Sequence, residues 1–213
     1  MLFAPAPFEA IRRGQFGRFG QRILAVDDGL RVFFDFLGTP SNRGDDLFDR
    51  FRALGIETVT VEHPPLFTVE QSKELRGDIP GAHTKNLFLK CKKGTLWLVV
   101  AVESTPVNLK TLHTRLGCGR LSFGSAEFLR EVLGVEPGSV TPFAVINDTK
   151  GLVTVVLDQA LMGFDRLNFH PLVNTATSGI SADGLKAFLA DCKHPPQILA
   201  IDVNENVDSG PVD

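Results

Sequence analysis

The segment His83 to Val102, HTKNLFLKCKKGTLWLVVAV, decides the fold. It holds two strand-like runs, Thr84–Cys91 and Thr95–Val102, joined by Lys92-Lys93-Gly94. Apolar runs flanking a short glycine-containing break predict a β-hairpin. The second run is far shorter than the ~20 apolar residues that cross a bilayer, so no membrane partner is expected. The first run starts polar and turns apolar after Asn86. Lys85 and Asn86 therefore stand either at a rim where a pocket forms or at an ordinary exposed strand start.

Upstream, Leu47, Phe51 and Leu54 recur at helical spacing ahead of Gly55, which predicts an amphipathic helix with a glycine stop. Thr58–Glu62 alternates as a strand and enters the loop His63-Pro64-Pro65. Thr68 with Gln71 forms a capping-box pattern before a short helix to Leu75,. Downstream, helices are expected over 108–116 and 125–133. A second hairpin is expected from Val140–Ile146 and Leu152–Leu157. Residues 169–177 read as extended, Ser181 caps a helix to about Cys192, and 197–203 is a last strand. Hairpins separated by helices give one α+β domain over 41–203, followed by a polar tail, 204–213. Residues 1–40 read as an N-terminal extension of unknown role. Arg12, Arg13, Arg18 and Arg22 are interleaved there with Phe8, Phe16 and Phe19, and 23–36 has room for one short strand.

The familiar catalytic signatures are missing: no GxSxG elbow, Walker loop, HExxH or GxGxxG opens an element,. Three cysteines without a CxxC spacing make no disulfide framework, and five scattered histidines make a zinc site improbable,. No metal and no cofactor are expected. Together with the lack of a secretory leader pattern, this makes the cytoplasm the expected compartment. Two further segments carry candidate chemistry. GVEPGSVTPF, 134–143, packs glycine and proline between a helix and a strand. Backbone amides so exposed bind an anion or a developing oxyanion, unless the loop is a plain connection. NFHPLVN, 168–174, sets His170 between Phe169 and Pro171, as a hydrogen-bonded structural residue or a pocket group.

The formal net charge is -3, with a sequence pI near 6.0, which excludes a promiscuous nucleic-acid binder. The charge is unevenly spread. Residues 83–120 carry seven basic side chains (Lys85, Lys90, Lys92, Lys93, Lys110, Arg115, Arg120) against one acid, Glu103. Lys90, Lys92, Lys93 and Arg120 are thus candidates for contacting a phosphate backbone.

Taken in order, HPPLFTVEQSKELRGDIPGAHTKNLFLK from His63, LWLVVAVE from Leu96, GRLSFGSAEFL from Gly119, GVEPGSVTPFAVIND from Gly134 and LNFHPLVNTATSGIS from Leu167 resemble the YbaK/prolyl-tRNA editing family. The match is nearest its ProXp-ala (PrdX-type) branch. The resemblance spans about 41–203 and implies a compact fold on a mixed, mostly antiparallel, barrel-like sheet with surrounding helices. It implies a trans-acting hydrolase that deacylates mischarged tRNA(Pro), with Ala-tRNA(Pro) as the expected substrate. Its partners would be the tRNA(Pro) acceptor end and, beyond it, prolyl-tRNA synthetase or an elongation factor. Lys85 matches the family's functional lysine, Gly138 its substrate-side loop and His170 its pocket histidine. Asn86, Ser139 and Thr141 would meet substrate, and Pro65, Phe67 and Thr68 belong to a mobile element over the aminoacyl pocket. Two other readings remain open: a Cys-tRNA(Pro) deacylase, and a noncatalytic aminoacyl-tRNA-binding module.

Overall fold

A computed structural model describes residues 22–25, 31–34, 43–65 and 79–201. Phe67, Thr68 and the short helix expected up to Leu75 lie outside these residues, as do the tail and most of 1–40. The expected hairpin at 83–102 is present. Strand β4 (Ala82–Cys91) pairs antiparallel with β5 (Leu96–Val102) in one unbroken register from Thr84↔Val102 to Lys90↔Leu96.

β1 (Arg22–Ala25) and β2 (Arg31–Phe34) pair antiparallel, and β2 pairs β3 (Thr58–Glu62). The segment ahead of residue 41 thus adds two strands where one was expected. Asp28-Gly29 between them is a strong short hairpin signal,. The remaining strands are β6 (Leu121–Phe123), β7 (Val153–Asp158), β8 (Leu167–Phe169), β9 (Ala176–Ile180) and β10 (Gln197–Leu199). They form a mixed sheet in the order β1-β2-β3-β9-β8-β4-β5-β7-β10, with β6 beside the far end of β4. β4–β8, β5–β7 and β7–β10 are parallel and the other pairings antiparallel.

The helices follow their capping signals. α1 (Arg43–Ala53) buries Leu47 and Phe51 completely. Asn108 accepts from the Lys110 amide ahead of α2 (Leu109–Arg115). Ser125 caps α3 (Ala126–Phe128), which continues as a π-helical turn over Leu129–Leu133. Ser181 caps α4 (Ala182–Asp191). Each side-chain oxygen satisfies an amide that the first helical turn leaves open.

The expected hairpin across Val140–Leu157 is not formed. Thr141 caps a 3-10 helix, Pro142–Asn147, and β7 pairs parallel with β5. Pro142 at the first turn has no N–H to give a ladder and suits a helix start. Phe143, Ala144 and Val145 are all buried, so no alternation marked the run as either element. Residues 169–177 likewise split into the end of β8, a loop and the start of β9.

The sheet separates two apolar clusters. On one side Phe51, Phe143, Phe169 and Phe188 pack edge-on or tilted with ring centroids 5.0–5.7 Å apart. They are joined there by Ala82, Phe88, Leu98 and Val100. On the other side Leu89, Cys91, Trp97, Val99 and Ala101 pack under Leu112 of α2. Fully burying one such side chain stabilises by about 1.5–3 kcal/mol. Because strand side chains alternate, Asn86 projects with Phe88 toward the aromatic cluster, and Lys85 projects with Leu87 and Leu89 toward the smaller one.

Candidate active site

Lys85 sits near the start of β4, beside β8. Ala82 and His83 pair with Leu167 and Asn168, and the Thr84 hydroxyl donates to the Asn168 carbonyl at 2.8 Å. His170 follows Asn168 by two residues, just past the end of β8, as Lys85 follows His83 within β4. Lys85 Nζ donates to the Thr105 carbonyl. Thr105 is buried and its hydroxyl donates to Asp158 Oδ2 at 3.1 Å. Asp158, also buried at the end of β7, accepts from the Ile201 amide at 3.2 Å and the Ala160 amide at 3.3 Å through Oδ1. The lysine is therefore aimed by a buried network reaching from β5 to β7.

His63 and His170 face each other with ring centroids 6.2 Å apart. His63 Nδ1 donates to the Pro64 carbonyl and Nε2 accepts from the Thr177 hydroxyl, both at 2.9 Å. A carbonyl can only accept, which fixes that tautomer. His170 Nδ1 donates to the Ala176 carbonyl at 3.0 Å. Both rings are thus pinned to one stretch of β9. Leu172, two residues beyond His170, has a φ of 68°, which an L side chain rarely adopts,. Such local strain tends to collect at functional sites.

The glycine loop is a tight turn. Ser139 N–H donates to the Glu136 carbonyl at 2.9 Å, with Pro137 and Gly138 in the middle and Gly138 at a φ of 92°. Proline then a positive-φ glycine is the type II pattern. The turn consumes the Ser139 amide, which therefore cannot also face an ester oxygen, and Gly138 projects into open space. Ser139 and Thr141 are buried, and the Thr141 hydroxyl accepts from the Phe143 amide at 3.3 Å. Phe143 lies 5.4 Å from Phe169, the residue before His170. Through that contact the 3-10 helix that follows the loop meets the end of β8, one residue before His170.

Of the expected site residues, Lys85 and His170 each stand two residues beyond the paired His83 and Asn168 of β4 and β8, and Gly138 lies in the exposed turn ahead of Phe143. Pro65 is exposed just past His63. Asn86 points away from Lys85, and its Oδ1 is buried without a hydrogen-bond partner. Of the basic residues, Lys90 Nζ lies 4.1 Å over the Phe128 ring, a cation–π contact. Lys92, Lys93 and Arg120 are exposed, with the Lys92 amide bonded to the Arg120 carbonyl at 3.0 Å. They gather at the hairpin tip, away from Lys85. Thr105, Asp158, Thr177 and the pairing of His63 with His170 were not legible in the sequence. Their side chains meet across 53 and 114 residues of sequence, and no local pattern announces such contacts. Among the described residues no group of three or more His, Cys, Asp or Glu side chains could hold a metal, and no helix is long and apolar enough to cross a membrane.

The sequence profile of the aminoacyl-tRNA editing domain matches residues 63–188, a span that opens at His63 and includes Lys85, Gly138 and His170. The chain is 39% identical over 165 residues to prolyl-tRNA synthetase associated domain-containing protein 1 of Danio rerio, covering 76% of this chain and 90% of that one. It is 37% identical over 134 residues to the prolyl-tRNA editing protein ProX of Acetoanaerobium sticklandii, covering 62% and 82%. A crystal structure described as a candidate trans-editing enzyme for prolyl tRNA synthetase shares the fold. Its TM-score is 0.60 at 19% identity, over 78% of this chain and 100% of that one.

Proposed function

The chain belongs to the aminoacyl-tRNA editing domain family, and from that premise we propose that it hydrolyses the ester of mischarged tRNA(Pro), Ala-tRNA(Pro) foremost. The observation that supports the reading is the parallel pairing of β4 with β8, from which Lys85 and His170 each follow by two residues, with the His63 ring facing His170. The relative named for prolyl-tRNA editing supports the substrate class. Work in the cytoplasm, on the tRNA acceptor end released by prolyl-tRNA synthetase, follows from the same reading.

An aminoacyl ester is already activated. Its hydrolysis calls for a positioned water and a stabilised oxyanion rather than a strong nucleophile, which suits a site without a triad. An ammonium has three donors. The Thr105 carbonyl takes one from Lys85, and the others serve the terminal phosphate or the ester end. The exposed Gly138 turn offers its own amide to the developing oxyanion, since that of Ser139 is committed. Water attacks, helped by the terminal ribose hydroxyl, and His170 shapes the pocket.

The test is release of amino acid from tRNA(Pro) charged with alanine, cysteine or proline. Alanine should be released fastest. An extra methylene at an apolar pocket is worth ~1–3 kcal/mol, or roughly 10–200-fold, and proline carries two more carbons than alanine, so proline release should trail by at least that order. Preferred release of cysteine would move the substrate to Cys-tRNA(Pro). Tight binding of all three esters without turnover would overturn the enzymatic reading.

A further inference from the structure

Phe123 is 66% exposed, more than any other large apolar side chain among the described residues. A lone exposed ring is ordinary on a protein surface, so the argument lies in its setting. Phe123 closes β6, which pairs with β4 on the edge away from β5. Leu121, two residues earlier, is buried with Leu112 and Leu116 of α2 in the smaller apolar cluster. Side chains two apart on a strand share a face, yet Phe123 stays in water. Its backbone is firmly placed. The Gly124 amide donates to the Phe88 carbonyl at 2.9 Å, and a Cβ on Gly124 would meet the Phe88 ring at 2.5 Å. The exit from β6 is therefore held flush against β4, and the ring is presented with little left to order on binding.

The position relates the ring to the lysine. Phe123 pairs with Leu89, and directly opposed residues share a face. It thus stands on the face of Lys85, four residues back along β4, or roughly 13 Å away. Along the same edge of β4, the described partners are β8 at Ala82 and His83 and β6 from Leu89 to Cys91. Among the described residues no strand lies beside the stretch 84–88 between them. The charge around the ring has one sign. Ser122 pairs with Lys90, and the Arg120 carbonyl accepts from the Lys92 amide. Neither 89–93 nor 119–124 contains an acid.

We propose that Phe123 is a stacking platform for an unpaired base at the acceptor end of tRNA, with Lys92 and Arg120 taking the adjoining phosphates. The proposal rests on the editing reading and adds a contact to the bases, where the lysines offer only contacts to the backbone. Single-strand sites combine basic side chains with exposed aromatic rings, because every base has a π-face to offer. A base inside a duplex has both faces covered, so only an unpaired end can use the ring. With the ester at Lys85, the separation corresponds to about four stacked nucleotide steps. The base held is then among the last before the aminoacyl group.

The test uses uncharged RNA, so it does not depend on turnover. The full chain is titrated at low salt with an acceptor-stem minihelix carrying its unpaired 3′ end, and with the same minihelix trimmed blunt. The parent should prefer the form with the unpaired end. Phe123→Ala should weaken binding of that form by roughly 5–100-fold and leave the blunt form nearly unaffected. Phe123→Trp should bind as the parent does, and Phe123→Leu, apolar without a π-face, should behave like the alanine variant. Thermal unfolding should stay at the parent's value in all three, since the ring is exposed. Equal binding by parent and Phe123→Ala, full recovery by Phe123→Leu, or an equal loss on the blunt form would overturn the platform. Those outcomes leave deacylation by the parent untouched, whereas absent turnover with the binding pattern intact would overturn the editing reading alone.

Discussion

The two ends of β4 carry the same residue type in opposite settings. At one end Lys85 is half-buried, and its ammonium is aimed by the Thr105 carbonyl and, behind that, by Asp158. At the other, Lys92 and Lys93 are exposed on a turn beside Arg120. Lys90, between them, rests on Phe128. Lys92 is seven residues from Lys85, so at ~3.3 Å per residue the ends lie roughly 23 Å apart. At about 3.4 Å per nucleotide step, that is some seven nucleotides along one strand. A charge fixed by a buried network can act on a reacting group. A charge on an open turn can act on a passing phosphate backbone. Electrostatics at the two ends should therefore separate into chemistry and capture.

The largest effect is expected at the fixed end. Lys85→Ala should lower single-turnover deacylation by about 10²–10³-fold, the size of losing one preorganised electrostatic group. Its thermal unfolding should stay close to the parent's, because the side chain is only half-buried. Near-normal turnover would erase the distinction between the ends.

Next comes the support behind the lysine. Asp158→Ala leaves the Thr105 hydroxyl and the Ile201 amide without their acceptor inside the protein. That should cost about 1–3 kcal/mol of stability and, by letting Thr105 and Lys85 shift, about 10–100-fold in turnover. Asp158→Asn keeps an acceptor oxygen and should recover part of both. A stability loss without any change in turnover would show that Lys85 needs no such aim.

Which parts of this were legible in the sequence follows from how each part is held. The 83–102 hairpin and the caps Asn108, Ser125 and Ser181 are local, and residue type within a few positions specifies them. Lys85 could be singled out because a polar strand start before an apolar run is local as well. The run after Thr141 could not be read, since burial on all sides removes the alternation that separates strand from helix. The parallel pairings of β4 with β8 and β5 with β7 were equally hidden, and they are what give Lys85 its neighbours. Thr105, Asp158 and Thr177 have ordinary sequence contexts and acquire a role through contacts made by the folded sheet. The split of the basic residues into an aimed lysine and a distant tip needed the strand length, not the charge count.

The open end should give a smaller, salt-dependent effect. Reversing both tip charges, Lys92→Glu with Lys93→Glu, should weaken tRNA binding several-fold at low salt. The slope of log K against log salt should fall by about one for each phosphate contact removed. The gap from the parent should close as salt rises, while the deacylation rate of bound substrate stays the same. A changed rate at saturating tRNA would mean that the tip participates in chemistry, and the comparison would fail from that side.

The smallest effect concerns acid, and it should reach one end of β4 before the other. Asp148 Oδ2 accepts from the Val153 amide at 2.8 Å, at the start of β7, and meets buried His194 Nε2 at 3.0 Å. Burial raises the carboxyl pKa, but the Leu152 and Val153 amides and His194 outweigh it, so the net position is below the ordinary carboxylate value. A depressed folded pKa contributes stability that is present above the unfolded value, near pH 4, and is lost as pH falls through the folded one. Asp148→Asn should therefore be less stable than the parent at neutral pH, and the gap should narrow on acidification. A gap that holds constant with pH would deny the carboxylate this role. β7 runs from Val153 to Asp158, the residue that anchors Thr105 beneath Lys85. Loosening its start in acid should lower amide protection along β7 and around Thr105 while leaving the 92–95 turn unchanged. Equal loss at both ends would show β4 to be one rigid unit, and the contrast between them would then rest on exposure alone.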